Sequence, residues 1–344
     1  MVVQSCSRAF GNGAPARIAT EVDWMRLLRV ARFHRVQGLV WSSLSSRRDE
    51  MPAEVAAGFA ADATYIAAAS LRASNECSHL ARTLERAQVP HLFLKGLALG
   101  TLAYRNPALK AAADVDLLVA PGSIEDVAAL LKDRGFELEI PSGRANPARI
   151  GSWHRRRKES LWVRPGDGLA IDLHTRVSDN IGLIPSVGVQ SPRQDIDVGR
   201  TSIPTLATDD LFAYLCVHGA SSAWFRLKWI TDFAALIHVC SSAEIERLYE
   251  RSQELGAYRA ADQALLLADA LYGSLEGSNL KPQLLGDRTS RTLFEAALRQ
   301  LSTAEEPTEA MFGTWRIHWT QLLLKPGLAF KVSEASRQIR DAIF

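Results

Sequence analysis

The 344-residue sequence has little cysteine and no long apolar run, and each absence narrows the class of protein. Its four cysteines, Cys6, Cys77, Cys216 and Cys240, are scattered without metal-ligand spacing or a pairing pattern, which is typical of proteins from a reducing compartment. No stretch approaches the ~18 apolar residues of a membrane-spanning helix. The N-terminal residues also lack the apolar stretch of a signal peptide. We therefore expect a soluble, cytoplasmic protein without a membrane span.

The sequence also has no large excess of charge of either sign. The sequence has 40 Lys and Arg against 38 Asp and Glu, a formal net charge of +2. Such a balance gives no overall field that attracts nucleic acid, so we expect no stable nucleic-acid partner. The chain is long and apolar enough (47% hydrophobic residues) to bury substantial cores. Composition predicts an N-terminal helical segment over 1–88, a mixed core over 89–204 and a C-terminal helical domain over 205–344.

Local patterns predict several element bounds. Helical periodicity with few breakers covers Val22–Leu44 and Ala53–Gln88, so we expect both stretches to be helical. A serine cap and a closing Gly135 predict another helix over Ile124–Arg134. From Ile181 to Pro204, by contrast, Pro, Gly and Ser recur and periodicity is poor. We interpret that stretch as a linker or a loop that covers a site.

Two carboxylates stand one residue apart at the start of an apolar run, in Asp114-Val115-Asp116-Leu117-Leu118-Val119. On a strand their side chains point to the same face, because side chains alternate with period two. Two like charges side by side cost free energy unless a cation lies between them. Mg²⁺ suits such a pair, since it binds a few carboxylates and leaves positions for phosphate oxygens. The motif indicates phosphoryl or nucleotidyl chemistry.

A third carboxylate lies in a predicted β-hairpin. The apolar runs Glu159–Val163 and Leu169–Leu173 flank a turn-forming cluster over 164–168, and Asp172 lies inside the second run. If this strand pairs beside the strand that begins at Asp114, three carboxylates converge on one site. Two metal ions held there could activate an attacking hydroxyl and stabilise a pyrophosphate leaving group.

The order of these motifs resembles a known group, the bacterial uncharacterised nucleotidyltransferases of the DNA polymerase β-like nucleotidyltransferase superfamily. The resemblance covers roughly residues 20 to 240 and rests on Leu94-Lys95-Gly96, Lys110, Asp114–Val119, Asp172-Leu173-His174, His218-Gly219, Trp224, Arg226–Trp229 and Asp232. Two positions depart from the group's pattern. Lys110 stands where an Arg is usual, which loses the bidentate fork and keeps the charge. Leu97 stands where the superfamily has a small hydroxyl residue.

The resemblance implies an α+β fold, with a polymerase β-like core of mixed sheet and helices between helical segments. It implies a Mg²⁺-dependent enzyme that moves a nucleoside monophosphate from a nucleoside triphosphate to an acceptor hydroxyl or phosphate and releases pyrophosphate. Two Mg²⁺ ions are expected on Asp114, Asp116 and Asp172, which would be both metal ligands and catalytic residues. The implied nucleotide- or phosphate-binding residues are Lys95, Gly96, Lys110, His174, His218, Arg226 and Asp232. The resemblance leaves the acceptor open as a small molecule, a peptide or a protein, and it favours a peptide natural product or a sugar.

Other interpretations stay open for individual residues and for the whole chain. Gly96 also suits a tight turn, His154 and His174 also suit structural roles, and the basic run Arg155–Lys158 is either a solvated loop or a contact for an anionic substrate. At the level of function, the alternatives are transfer from a nucleotide-sugar donor, a non-catalytic nucleotide-binding protein and a toxin-type protein.

Overall fold

The structure of the protein is a computed structural model, and it describes residues 1–11, 22–110, 114–141, 149–199, 201–303 and 314–343. The chain divides into two units. The first, which we call the helical unit, comprises Met1–Phe59, Asn180–Pro185 and Asp209–Phe344. The second, the sheet unit, comprises Ala60–Asp179 and Ser186–Thr208. The three-part division at residues 88 and 204 stays a prediction.

The secondary structure mixes helices and strands. In chain order the helices are α1 (Val2–Phe10), α2 (Trp24–Phe33), α3 (Gln37–Leu44), α4 (Ala53–Arg86), α5 (Gly96–Tyr104), α6 (Ile124–Asp133), α7 (Ile150–His154), α8 (Thr208–Ser221), α9 (Leu227–Ile237), α10 (Ser242–Leu255), α11 (Arg259–Tyr272), α12 (Leu280–Gly286), α13 (Arg288–Leu301), α14 (Trp315–Gln321) and α15 (Leu328–Ile343). The strands are β1 (His91–Phe93), β2 (Asp114–Val119), β3 (Glu137–Ile140), β4 (Glu159–Val163), β5 (Ala170–His174), β6 (Arg193–Val198) and β7 (Thr201–Leu206). Short 3₁₀ helices cover Ser45–Glu50, Pro107–Leu109 and Pro121–Ser123.

A five-stranded mixed sheet organises the sheet unit, in the order β1-β2-β5-β4-β3. Strands β2 and β5 run parallel, and the other neighbouring pairs are antiparallel. The hairpin β6–β7 forms a second, two-stranded sheet. Strands and helices are both present and the sheet is mixed, so the predicted α+β class is confirmed.

One face of the sheet is apolar and carries the core of this unit. Val115, Leu117 and Val119 of β2 are buried in a cluster that includes Leu80 and Leu84 of α4. Burial of large aliphatic side chains contributes roughly 1.5–3 kcal/mol each. Because side chains on a strand alternate, this packing directs Asp114 and Asp116 to the opposite face. The core therefore fixes which face presents the carboxylates.

The structure corrects one sequence prediction and divides a second into two elements. The stretch Ile181–Pro204 contains regular structure, because β6 and part of β7 lie within it. In β6 the buried Ile196 and Val198 alternate with charged residues, a strand pattern that the neighbouring Pro, Gly and Ser obscured. The helical stretch predicted over Val22–Leu44 consists of two helices, α2 and α3. Arg35, with φ 56°, breaks the helical path between them.

Some helices of the helical unit have clear local end signals. At the start of α10, the Ser241 hydroxyl accepts a hydrogen bond from the Glu244 backbone N–H, and the Glu244 carboxylate accepts from the Ser241 backbone N–H. Gly256, in the left-handed region, ends that helix. No helix in the described part of the chain is long and apolar enough to cross a membrane.

Candidate active site

The register between β2 and β5 places two of the three predicted carboxylates side by side. Asp116 is paired with Asp172, and Asp114 is paired with Ala170. Because the register is parallel and in phase, the side chains of Asp114, Asp116 and Asp172 share one face of the sheet. The pairing on which the sequence hypothesis depends is therefore present in the structure.

Asp116, Asp172 and His174 form a compact group of possible metal ligands. One ligand atom from each lies within 4.8 Å of the other two. Asp116 is 4% exposed and His174 is 1% exposed, so these two side chains are shielded from solvent. Asp114 is half-buried at the beginning of β2 and, among the described residues, stands outside this group.

A lysine ammonium neutralises part of this charge. Lys95 Nζ lies 2.8 Å from Asp116 Oδ1. Lys95 caps the N-terminus of α5, whose first residue, Gly96, has a φ of 53°. The backbone N–H of Leu94 donates to the Asp116 carbonyl, 3.1 Å away, which holds the segment before Lys95 against β2. The lysine–glycine step thus lies directly beside the acidic group.

His174 lies between two carboxylates. Its Nε2 is 3.2 Å from Asp116 Oδ1, and its Nδ1 is 3.3 Å from Glu159 Oε2. Sequence reasoning missed Glu159 as a site residue. The signal was in the hairpin register, because Glu159 is the residue of β4 that pairs with His174. Extending the register of the predicted hairpin from its turn places Glu159 opposite His174 and so identifies it as a neighbour of the site.

Electrostatics divides the carboxylates into two kinds. Burial alone would raise the pKa of Asp116, but Lys95 and His174 outweigh it and hold that pKa below its usual range. Burial also raises the pKa of Asp172, and the charges of Asp116 and Asp114 add to the rise. A cation beside Asp172 would therefore be stabilising, because it would offset the burial and the neighbouring negative charges that raise this pKa.

Family comparison gives the group to which the chain belongs. The model of a family described as "Uncharacterised nucleotidyltransferase" matches residues 20–273, about three quarters of the sequence. The chain belongs to this nucleotidyltransferase family. No curated protein matches the chain. Among solved structures, an antigenic nucleotidyltransferase-like protein from Paracoccidioides brasiliensis is 14% identical, with 60% of this chain and 93% of that chain covered and a TM-score of 0.37, which is a weak likeness.

Two of the remaining predicted features lie around the acidic group. His154 is buried and lies 3.1 Å from Thr175 Oγ1 and 3.0 Å from Ser160 Oγ, a satisfied structural position. Burial, with His174 and Arg176 nearby, lowers the pKa of His154 to about 4, so the ring is neutral near pH 7. The last residue of the basic run, Lys158, pairs with the Glu159 carboxylate.

Lys110 is buried beside α5. A Cβ added at Gly100 would lie 3.6 Å from Lys110 Cδ and 3.0 Å from Pro107 Cα, so the lysine stem runs close to the helix backbone. The tight contact is with Pro107, which a side chain at position 100 would crowd, whereas the contact with Lys110 is an ordinary van der Waals distance. Lys110 is only 7% exposed, and a lysine is rarely buried to this extent unless its charge is paired. Its phosphate-binding role stays a prediction.

His218, Arg226 and Asp232 belong to the helical unit. The Arg226 guanidinium donates to the Phe33 carbonyl, and its Cζ lies 4.9 Å from the centre of the Phe33 ring. The His218 ring meets Trp229 edge-on, with 5.6 Å between ring centres. Asp232 is 3% exposed, and its charge reinforces burial in raising the pKa of the Cys6 thiol. These contacts explain local packing, and the substrate roles of the three residues stay predictions.

The donor set fits a divalent cation. Two carboxylates and an imidazole offer oxygen and nitrogen lone pairs from a rigid sheet, and like charges on Asp116 and Asp172 favour a positive ion between them. The N-terminus of α5 begins beside the same group, and helix N-termini favour phosphate oxygens. A metal site next to a phosphate site is the arrangement that phosphoryl and nucleotidyl transfer requires.

Proposed function

We propose that the protein is a metal-dependent nucleotidyltransferase that moves a nucleoside monophosphate from a nucleoside triphosphate to an acceptor hydroxyl or phosphate. The acceptor oxygen bonds to the α-phosphorus, the bond from that phosphorus to the bridging oxygen breaks, and pyrophosphate leaves. The observation that carries the proposal is the register of Asp116 against Asp172, with Lys95 2.8 Å from Asp116. Membership of the nucleotidyltransferase family supports it.

In this proposal Asp114, Asp116 and Asp172 hold the divalent cations, with two Mg²⁺ ions expected. Bound cations would neutralise charge on the phosphates and lower the pKa of an acceptor hydroxyl. The residues of the chain then orient the reactants. Asp172 faces the acceptor, and Lys95 with the Gly96 amide binds phosphate oxygens at the start of α5.

The finer assignments are part of the same proposal. Lys110 would contribute a second positive charge for the phosphates, and His174, His218, Arg226 and Asp232 would contact the nucleotide or acceptor. The acceptor would be a small molecule, a peptide or a protein, and the protein would act in the cytoplasm. The free state of all four cysteines agrees with a reducing compartment.

Calorimetry tests this function. ATP, GTP, CTP and UTP are titrated into the full chain with and without Mg²⁺, and pyrophosphate release is measured with candidate acceptors. We expect one nucleotide to bind only with metal, and that binding to be lost in Asp116→Asn and Asp172→Asn. Asp126→Asn, at an exposed position of α6, is the matched control and should bind like the unaltered protein.

Two results would overturn the proposal. Binding of nucleotide sugars alone would indicate transfer from a sugar donor, and metal-independent nucleotide binding without pyrophosphate release would indicate a binding protein. Growth arrest of the host on overexpression, abolished by Asp116→Asn, would instead show a toxin whose target is the acceptor.

A further inference from the structure

His174 brings a nitrogen donor into a site that the carboxylates alone would make all-oxygen. Its Nε2 lies 3.2 Å from Asp116 Oδ1, and the ligand atoms of Asp116, Asp172 and His174 all lie within 4.8 Å of one another. His174 also pairs with Leu118 of β2, so two neighbouring strands fix its backbone. With 1% exposure, the ring has little room to turn away.

The other ring nitrogen indicates which tautomer the site favours. Nδ1 is buried without an aligned hydrogen-bond partner, and a Glu159 carboxylate oxygen lies 3.3 Å from it. A histidine that binds a metal through Nε2 must carry its proton on Nδ1. Such histidines usually donate that proton to a carboxylate or carbonyl, which fixes the ring and makes it a better ligand. Glu159 is placed for this role.

An imidazole changes the class of ion that the group prefers. Mg²⁺ binds oxygen donors and keeps several waters, whereas imidazole suits transition-metal ions. Mn²⁺ accepts both carboxylate and imidazole. Among the described residues, Asp114 stands outside the three-donor group of Asp116, Asp172 and His174.

We propose that His174 is a metal ligand through Nε2, positioned by Glu159, and that the group of Asp116, Asp172 and His174 takes a divalent transition-metal ion, represented by Mn²⁺, in preference to Mg²⁺. This inference rests on the proposed function for its metal site, and it adds the class of the ion, its nitrogen ligand and the residue that orients that ligand.

Electron paramagnetic resonance on the full chain with Mn²⁺ and no nucleotide tests the ligand directly. Electron spin-echo modulation detects a nitrogen nucleus bound to the ion, and labelling the histidines with ¹⁵N must change the modulation if an imidazole binds. Equilibrium titration should show Mn²⁺ binding at least about tenfold tighter than Mg²⁺. Absence of nitrogen modulation, or equal affinity for the two ions, overturns the proposal.

Three variants locate the ligand. His174→Gln should remove the nitrogen modulation and weaken Mn²⁺ binding at least about tenfold, with a smaller change for Mg²⁺. Glu159→Ala should keep the modulation and weaken Mn²⁺ binding about 10–100-fold, and Glu159→Gln should restore part of the loss because its amide oxygen still accepts a hydrogen bond. His79→Gln, at an exposed position of α4, is the control. Unchanged modulation in His174→Gln overturns the assignment.

The outcomes separate this inference from the proposed function. Thermal unfolding shows whether His174→Gln folds. If it does not, the ¹⁵N-labelled unaltered protein still shows whether an imidazole binds the ion. The variants Glu159→Ala and Glu159→Gln then show whether that imidazole is the one beside Glu159. Pyrophosphate release with Mg²⁺ and no nitrogen modulation overturns the inference alone. Histidine-bound Mn²⁺ without transfer from any nucleotide overturns the proposed function and leaves the metal ligands as assigned.

Discussion

The Lys95 ammonium lies 2.8 Å from Asp116 Oδ1, so the same carboxylate faces both a lysine and the place where a metal ion would lie. The lysine side chain is 17% exposed and the aspartate side chain 2%. In water the two charges would be solvated separately, but here each stabilises the other in a poorly solvated site. The pair gives the site two competing cations, one built in and one from solution.

Replacing Lys95 should therefore have opposite effects on metal and nucleotide. In Lys95→Met, Asp116 loses its built-in cation, so Mn²⁺ or Mg²⁺ alone should bind roughly tenfold tighter. Nucleotide affinity should fall by a similar factor if Lys95 contacts phosphate, and the metal-free protein should lose about 2–4 kcal/mol of unfolding free energy.

Titration calorimetry with metal alone and then with nucleotide measures both affinities. Lys132→Met, at an exposed position of α6, is the control for loss of one positive charge. Weaker binding of metal alone in Lys95→Met would contradict the competition, because no positive charge would then have been opposing the ion.

Asp116 and Asp172 should differ in what they do to stability. Asp172→Asn removes a carboxyl whose ionisation is opposed by burial and two neighbouring aspartates, so the metal-free variant should be about 1–2 kcal/mol more stable. Asp116→Asn removes the buried carboxylate that lies 2.8 Å from the Lys95 ammonium, and should be destabilised by a comparable or larger amount. Urea unfolding with a chelator present measures the unfolding free energy of both variants. A change of the same sign in the two would contradict the proposed difference between Asp116 and Asp172.

The parts of this architecture that could be predicted are those with a short-range sequence pattern. The alternation of Asp114, Val115 and Asp116 is a short-range signal, and it correctly indicated a strand with one acidic face. The hairpin over β4 and β5 had a turn-forming cluster between two apolar runs, and it is present with Arg164 N–H bonded to the Leu169 carbonyl. For these two local patterns the prediction was confirmed.

The features that could not be predicted depend on contacts between residues far apart in the sequence. The opposition of Glu159 to His174, and so to the acidic group, depends on register, which sequence patterns fix only indirectly. The strand β6 escaped notice because Gly199 and Pro204 near it resemble loop residues. The ion pair of Lys95 with Asp116 is a tertiary contact, and the sequence indicated only that the lysine precedes a helix.

A second buried ion network should control the acid stability of the sheet unit. Glu76 is 4% exposed, and it accepts hydrogen bonds from Arg134 Nε and Nη2 (2.6 and 2.9 Å) and from Arg164 Nη1 (2.8 Å). Burial would raise the pKa of Glu76, but the two guanidinium groups outweigh it and lower that pKa. A carboxyl with a lowered pKa stabilises the folded state above its ordinary pKa, near 4.3, and this contribution is lost as pH falls toward the folded value.

Glu76→Gln tests this network. Removing the charge should cost about 3–5 kcal/mol at pH 7, because two arginines lose their buried partner. The variant should lose less stability than the unaltered protein as pH falls from 5 to 3, measured by urea unfolding at each pH. Glu85→Gln, at an exposed position of the same helix, should keep the acid dependence. An unchanged acid slope in Glu76→Gln would place the titrating group elsewhere.

Gly96 allows a separate test of the phosphate site at the start of α5. Its φ of 53° is in the left-handed region, where a Cβ costs about 1 kcal/mol, so Gly96→Ala should lower the unfolding free energy by that amount. The Gly96 amide stands at the helix N-terminus beside Lys95, so the same variant should weaken nucleotide binding by more than its small effect on folding. Gly122→Ala, where nothing lies within 4 Å of the added methyl, is the matched control. Full nucleotide affinity in a folded Gly96→Ala protein would exclude close approach of a phosphate to that amide.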